Sequence, residues 1–74
     1  MTENEIVKNI RDNLLRERGL AGFSQEYAAL KIGVTKNMVS KWERGKTVPS
    51  VIYLYKAAEL YGVTVDDILR EAET

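Results

Sequence analysis

Apolar residues recur at helical spacing from the start of the chain. Ile6, Ile10 and Leu14 fall at i, i+4 and i+8, one stripe on a helix expected from about Glu3 to Arg18. Glu3 and Glu5 near its start and Arg16 and Arg18 near its end suit the macrodipole. Gly19 or Gly22 stops it. Ser24 is a good N-cap for a second helix, Gln25 to Ile32, which Gly33 ends. Thr35 opens a third, Lys36 to about Arg44, terminated by Gly45. Ser50, after Pro49, caps a fourth, Val51 to Tyr61, closed by Gly62. Thr64 caps a short fifth, Val65 to about Glu71, with Asp66 and Asp67 in its first turn. No strand-like alternation competes, and there is no internal repeat or low-complexity tract. The pattern predicts an all-α fold, a compact five-helix single domain over residues 1–74.

Length and composition narrow what such a domain can do. Seventy-four residues suit one domain with a modest core, because chains this short bury only about 60% of their unfolded surface. Cysteine and histidine are both absent. That removes zinc fingers, thiol nucleophiles, Ser-His triads and disulfide frameworks. No catalytic residue, cofactor, metal or small-molecule ligand is therefore expected, and the chain does not read as an enzyme. No apolar run approaches the roughly 20 residues of a membrane span. A thiol-free chain with no signal peptide in view is expected in the cytoplasm.

The formal net charge is zero, yet it is segregated. Residues 31–56 carry Lys31, Lys36, Lys41, Arg44, Lys46 and Lys56 against Glu43 alone, a net of +5. Residues 57–74 carry Arg70 against Glu59, Asp66, Asp67, Glu71 and Glu73, a net of −4. Chance clustering is one explanation. A face built for an anion is the other.

The basic segment holds the most specific motif. Helices two and three are joined by Gly33-Val34-Thr35 alone, and so short a link forces the sharp crossing of a helix-turn-helix, about residues 24–44. On a wheel of helix three, Met38, Val39 and Trp42 cluster on one side, the expected core side. Lys36, Asn37, Ser40 and Lys41 cluster opposite, with no acid among them. Lysine suits guanine acceptors, asparagine suits adenine, and serine suits either. An ordinary solvated face is the bland alternative. Gln25 sits at the N-terminus of helix two, where backbone N–H groups attract phosphate. Arg44 and Lys46 flank Gly45 and could hold phosphates or simply be solvated. Glu43 opposes the macrodipole near the end of helix three, so a structural partner is expected for it, Arg16 or Arg18.

The stretch Ser24 to Ser50, SQEYAALKIGVTKNMVSKWERGKTVPS, resembles the Cro/repressor-type helix-turn-helix family, the xenobiotic-response-element family of bacterial and phage regulators. The segments Ser24-Gln25-Glu26, Gly33-Val34-Thr35, Val39-Ser40-Lys41-Trp42-Glu43 and Gly45-Lys46…Pro49-Ser50 carry the likeness together. Val51 to Leu69 is similar to that family's fourth and fifth helices. The resemblance implies the phage-repressor type of DNA-binding fold. It also implies sequence-specific binding to double-stranded DNA, usually as a homodimer on an inverted-repeat operator, to control transcription. It places base contacts on Lys36, Asn37, Ser40 and Lys41, and phosphate contacts on Gln25, Thr35, Arg44 and Lys46.

There are departures from the family pattern. Ala28 stands where leucine is usual, and Tyr27 and Leu30 where polar residues are usual, so a repacked second helix is expected, with Tyr27 reaching the first. Ile52, Tyr53, Tyr55 and Leu60 occupy often polar positions, which fits either a thicker core or a dimer interface. Tyr53, Leu60, Ile68 and Leu69 are the expected interface. A repressor is the leading reading; a protein-binding adaptor or antitoxin-like partner built on the same fold is the competing one.

Overall fold

The computed structural model describes residues 1–72; positions 73 and 74 of the expected single domain lie outside the described residues. Five helices follow in order: α1 (Glu3–Ala21), α2 (Gln25–Ile32), α3 (Lys36–Glu43), α4 (Val51–Tyr61) and α5 (Val65–Leu69). Each begins at a threonine or serine whose hydroxyl accepts a backbone N–H of the first turn. Such caps satisfy amides that the helix itself leaves unpaired. In α1 and α5 the cap is reciprocal, with Glu5 and Asp67 accepting in turn from the backbone N–H of Thr2 and Thr64.

α1 runs three residues beyond Arg18, through Gly19, and stops at Gly22. Gly22 takes φ +75°, a left-handed conformation, which lets Phe23 N–H reach the Arg18 carbonyl at 3.2 Å. The same device makes the tight turn between α2 and α3. Gly33 sits at φ +93°, and Gly33 and Val34 both donate to the Ala29 carbonyl, at 2.8 and 3.0 Å.

The core draws on every helix: Ile10 and Leu14 of α1, Ala29 and Ile32 of α2, Val39 and Trp42 of α3, Leu54, Ala57 and Ala58 of α4, and Ile68 of α5. Trp42 is 3% exposed and packs beside the Tyr53 ring, 6.2 Å between centroids. Ala28 is fully buried; Tyr27 is exposed, its ring 4.7 Å from that of Phe23 in the link after α1. α1 packs on α3, α4 and α5, and α4 bridges α2 and α5.

α5 ends at Leu69, short of the expected Glu71, and the reason lies in α1. Asn13 Nδ2 donates to the carbonyls of Ile68 (2.8 Å) and Arg70 (2.7 Å), and Asn9 Nδ2 donates to that of Leu69 (3.1 Å). These carbonyls would otherwise need the amides of a further helical turn. Asn13 is completely buried, and its bond to the Ile68 carbonyl forms out of reach of water.

Two expectations are corrected. Met38 does not join Val39 and Trp42 in the core; it is 38% exposed. Glu43 is buried instead, which turns the inner face of α3 toward Glu43 and leaves Met38 outside. The apolar surplus assigned to an interface largely builds the core: Ile68 is 0% exposed, and Tyr53, Leu60 and Leu69 pack against the buried cluster. The exposed apolar residues of α4 are Val51, Ile52 and Tyr55.

Candidate nucleic-acid interface

The site starts from one buried ion pair. Arg18 Nε donates to Glu43 Oε2 at 2.7 Å and Arg18 Nη2 to Glu43 Oε1 at 2.9 Å, a two-pronged grip. Of the two arginines expected to partner Glu43, Arg18 is the one; Arg16 pairs with Glu17. The third arm of Arg18, Nη1, donates to the Phe23 carbonyl at 2.9 Å. Hydrogen bonding to Glu43 raises the Arg18 pKa further above its ordinary range, against the pull of burial. One side chain thus ties α1 to α3 and to the link before α2, fixing the height and tilt of α3.

Burying Glu43 also removes the single acid of the basic segment from the surface. What remains outside between 31 and 56 is cationic: Lys31, Lys36, Arg44, Lys46 and Lys56 are exposed, and Lys41 is half-buried. An exposed run of one sign attracts a polyanion at long range.

The candidate base-reading residues divide by position. Asn37 and Lys41 lie at the centre of the face turned away from Val39, Trp42 and Glu43. Their side chains make no hydrogen bond or ion pair among the described residues. Ser40 lies on one flank, where its hydroxyl and carbonyl accept from Arg44 Nε at 3.1 and 3.3 Å. Lys36 begins the helix and leans toward α2, its Nζ 3.7 Å from Glu26 Oε1. Both partners of that contact are well exposed, so it is weak and easily exchanged for another anion.

The candidate phosphate-holding residues are also placed. Thr35 caps α3, its Oγ1 accepting from Met38 N–H at 3.2 Å, with the hydroxyl hydrogen still to give. Arg44 and Lys46 are exposed on either side of Gly45, whose φ of +73° turns the chain out of α3. Gln25 is half-buried and donates from Nε2 to Glu43 Oε1 at 3.0 Å, so its amide belongs to the Arg18–Glu43 network. This second tie was not legible in the sequence.

Tyr61 completes the surroundings of the network. Burial, reinforced by the charge of Glu43, pushes its pKa up to about 12.

A family model described as helix-turn-helix matches residues 14–68, most of the chain. An uncharacterized HTH-type transcriptional regulator of Methanocaldococcus jannaschii is 34% identical over 59 residues, covering 80% of this chain and 89% of that protein. One from Sinorhizobium fredii is 35% identical over 60 residues, covering 81% and 78% of the two chains. A third, from Archaeoglobus fulgidus, is 30% identical over 59 residues, covering 80% and 84%. No solved structure gives a significant match. With its α2–α3 pair and these relatives, the chain belongs to the helix-turn-helix family, of the xenobiotic-response-element type.

Proposed function

We propose that the protein is a sequence-specific double-stranded DNA-binding transcriptional regulator, a cytoplasmic repressor that lays α3 in the major groove. The observation that carries this reading is the acid-free outer face of α3, with Asn37 and Lys41 at its centre and Glu43 withdrawn into an ion pair. Lys36 and Ser40 extend the base-reading set. Thr35, Arg44, Lys46 and the N-terminus of α2 at Gln25 hold phosphates on either side and set the register.

One unit of this kind reads only a few base pairs, too few to single out a site in a genome. A two-fold homodimer doubles the readout and makes the operator an inverted repeat, with half-sites about 34 Å apart or a multiple of that. The interface is the exposed apolar face of α4, Val51, Ile52 and Tyr55. Repression follows from occupancy, since a protein seated in the groove excludes polymerase from the same stretch.

Exposed Leu20 and Leu30, each 76% exposed, favour a second reading, a protein-binding adaptor or antitoxin-like partner. Selection from a random-sequence duplex pool, followed by gel shifts at graded salt, separates the two. A regulator enriches a related set of sequences and retards them specifically; an adaptor enriches none.

A further inference from the structure

Met38 departs from the other apolar residues of its helix. α3 has three apolar side chains; Val39 and Trp42 enter the core, and Met38 stays outside. It is the third residue of α3, in the first turn, the part of such a helix that comes nearest the base edges. It lies three residues before Lys41, and side chains at that spacing are neighbours on a helix. It therefore flanks the centre of the basic face on the side opposite Ser40. Thr47, in the loop between α3 and α4, directs its hydroxyl toward the Met38 sulfur at 4.0 Å, a long contact that sets the thioether against the loop edge.

A thioether has no N–H or O–H to offer a base. The major groove presents one apolar group, the 5-methyl of thymine. An unbranched, polarizable side chain can shape itself to that methyl. We propose that Met38 is a specificity-determining residue that packs on a thymine 5-methyl group at one position of each half-site, next to the base pairs reached by Asn37 and Lys41. This rests on the DNA-reading function proposed above.

The probe is a duplex enriched by the wild-type protein from a random pool, in which each thymine is replaced in turn by deoxyuridine. That change removes the methyl and leaves every hydrogen-bonding group. Wild-type affinity should fall about fourfold at one position per half-site, the worth of one methyl taken out of water. In Met38→Ala the thymine and uracil duplexes should bind alike at that position, while Met38→Leu should keep most of the preference. Thermal melts confirm that both variants are folded, as their exposed position leads one to expect. If no uracil substitution weakens binding, or the loss persists undiminished in Met38→Ala, the Met38 assignment is overturned while DNA reading stands. If the pool enriches no sequence at all, DNA reading itself is overturned, and the thymine contact with it.

Discussion

Arg18 and Glu43 stand 25 residues apart in the chain and meet through two hydrogen bonds of 2.7 and 2.9 Å, the carboxylate buried and the arginine side chain largely so, 4% and 17% exposed. A carboxylate and a guanidinium taken out of solvent together are sustained by each other, and either one alone is a stranded charge. Arg18→Ala should therefore cost about 3–5 kcal/mol in urea unfolding. A loss within the range of an ordinary surface substitution would mean that the pair is solvated. The damage should extend to DNA binding at temperatures where the variant is still folded, because Arg18 also carries the link before α2.

Asn13, itself fully buried, bonds to the Ile68 carbonyl in the interior and to the Arg70 carbonyl at its edge. Asn13→Ala should cost about 1–3 kcal/mol, from carbonyls left unpaired. Asn13→Asp should be worse, since a carboxylate brings only acceptors to face acceptors. Asn9→Ala, which removes one longer bond to the Leu69 carbonyl and a weak contact to the Met1 sulfur, should be milder. Equal melting temperatures for wild type and Asn13→Ala would contradict the assignment.

Tyr61 gives the fold an alkaline limit. Its pKa is about 12 when folded, against an ordinary value of 10.0, so the folded state holds the proton more tightly than the unfolded chain. The stability this contributes is complete below the ordinary value and is lost as pH rises through the folded one. Urea midpoints of wild type should fall between about pH 10 and pH 12, and those of Tyr61→Phe should fall less over the same window. Parallel curves would exclude Tyr61 as the titrating group.

The face of α3 and its flanks should separate in DNA binding. Lys36→Ala, Asn37→Ala and Lys41→Ala should each cost roughly 1–3 kcal/mol on a selected duplex and relax preference at one base pair, with Asn37 and Lys41 the larger. Arg44→Ala and Lys46→Ala should weaken all sequences alike and lower the salt slope by about one. An Arg44 or Lys46 variant that changes sequence preference at an unchanged slope would reverse the assignment.

Val51, Ile52 and Tyr55 should govern assembly. Ile52→Asp and Tyr55→Asp place charges on an exposed face, so the folded monomer should melt near wild type while the dimer dissociates in sedimentation velocity. A wild-type protein that stays monomeric and binds one asymmetric site at one-to-one stoichiometry removes the dimer.

What the sequence disclosed and what it withheld follow from the range of the interactions. The bounds of α2 and α4 were readable to the residue. Ser24 with Gly33, and Ser50 with Gly62, act on backbone groups only a few positions away. The end of α5 was not readable, because it is set by Asn9 and Asn13 from the far end of the chain. The trace they leave is a pair of asparagines four apart, each one residue before a member of the Ile10–Leu14 stripe. Met38 was misplaced for a related reason. A hydropathy wheel sends methionine inward and glutamate outward, and the distant Arg18, joined by Gln25, reverses that order. In the candidate site, residue types on α3 could be read directly, but the capture of Gln25 by Glu43 could not, since it depends on how α2 approaches α3.

The asparagine clasp has a consequence for the protein while it is being made. Synthesis delivers the N-terminal part first. α1 therefore leaves the ribosome with Asn9 and Asn13 facing nothing, and the α2–α3 pair follows it out before the carbonyls of Ile68, Leu69 and Arg70 have emerged. A five-residue helix has no independent stability to fold in advance of its dock. Cooperative closure of the domain thus waits for its last element. A nascent or truncated chain that displays the whole basic face would still lack the clasp that holds α1, and through Arg18 the third helix, in place.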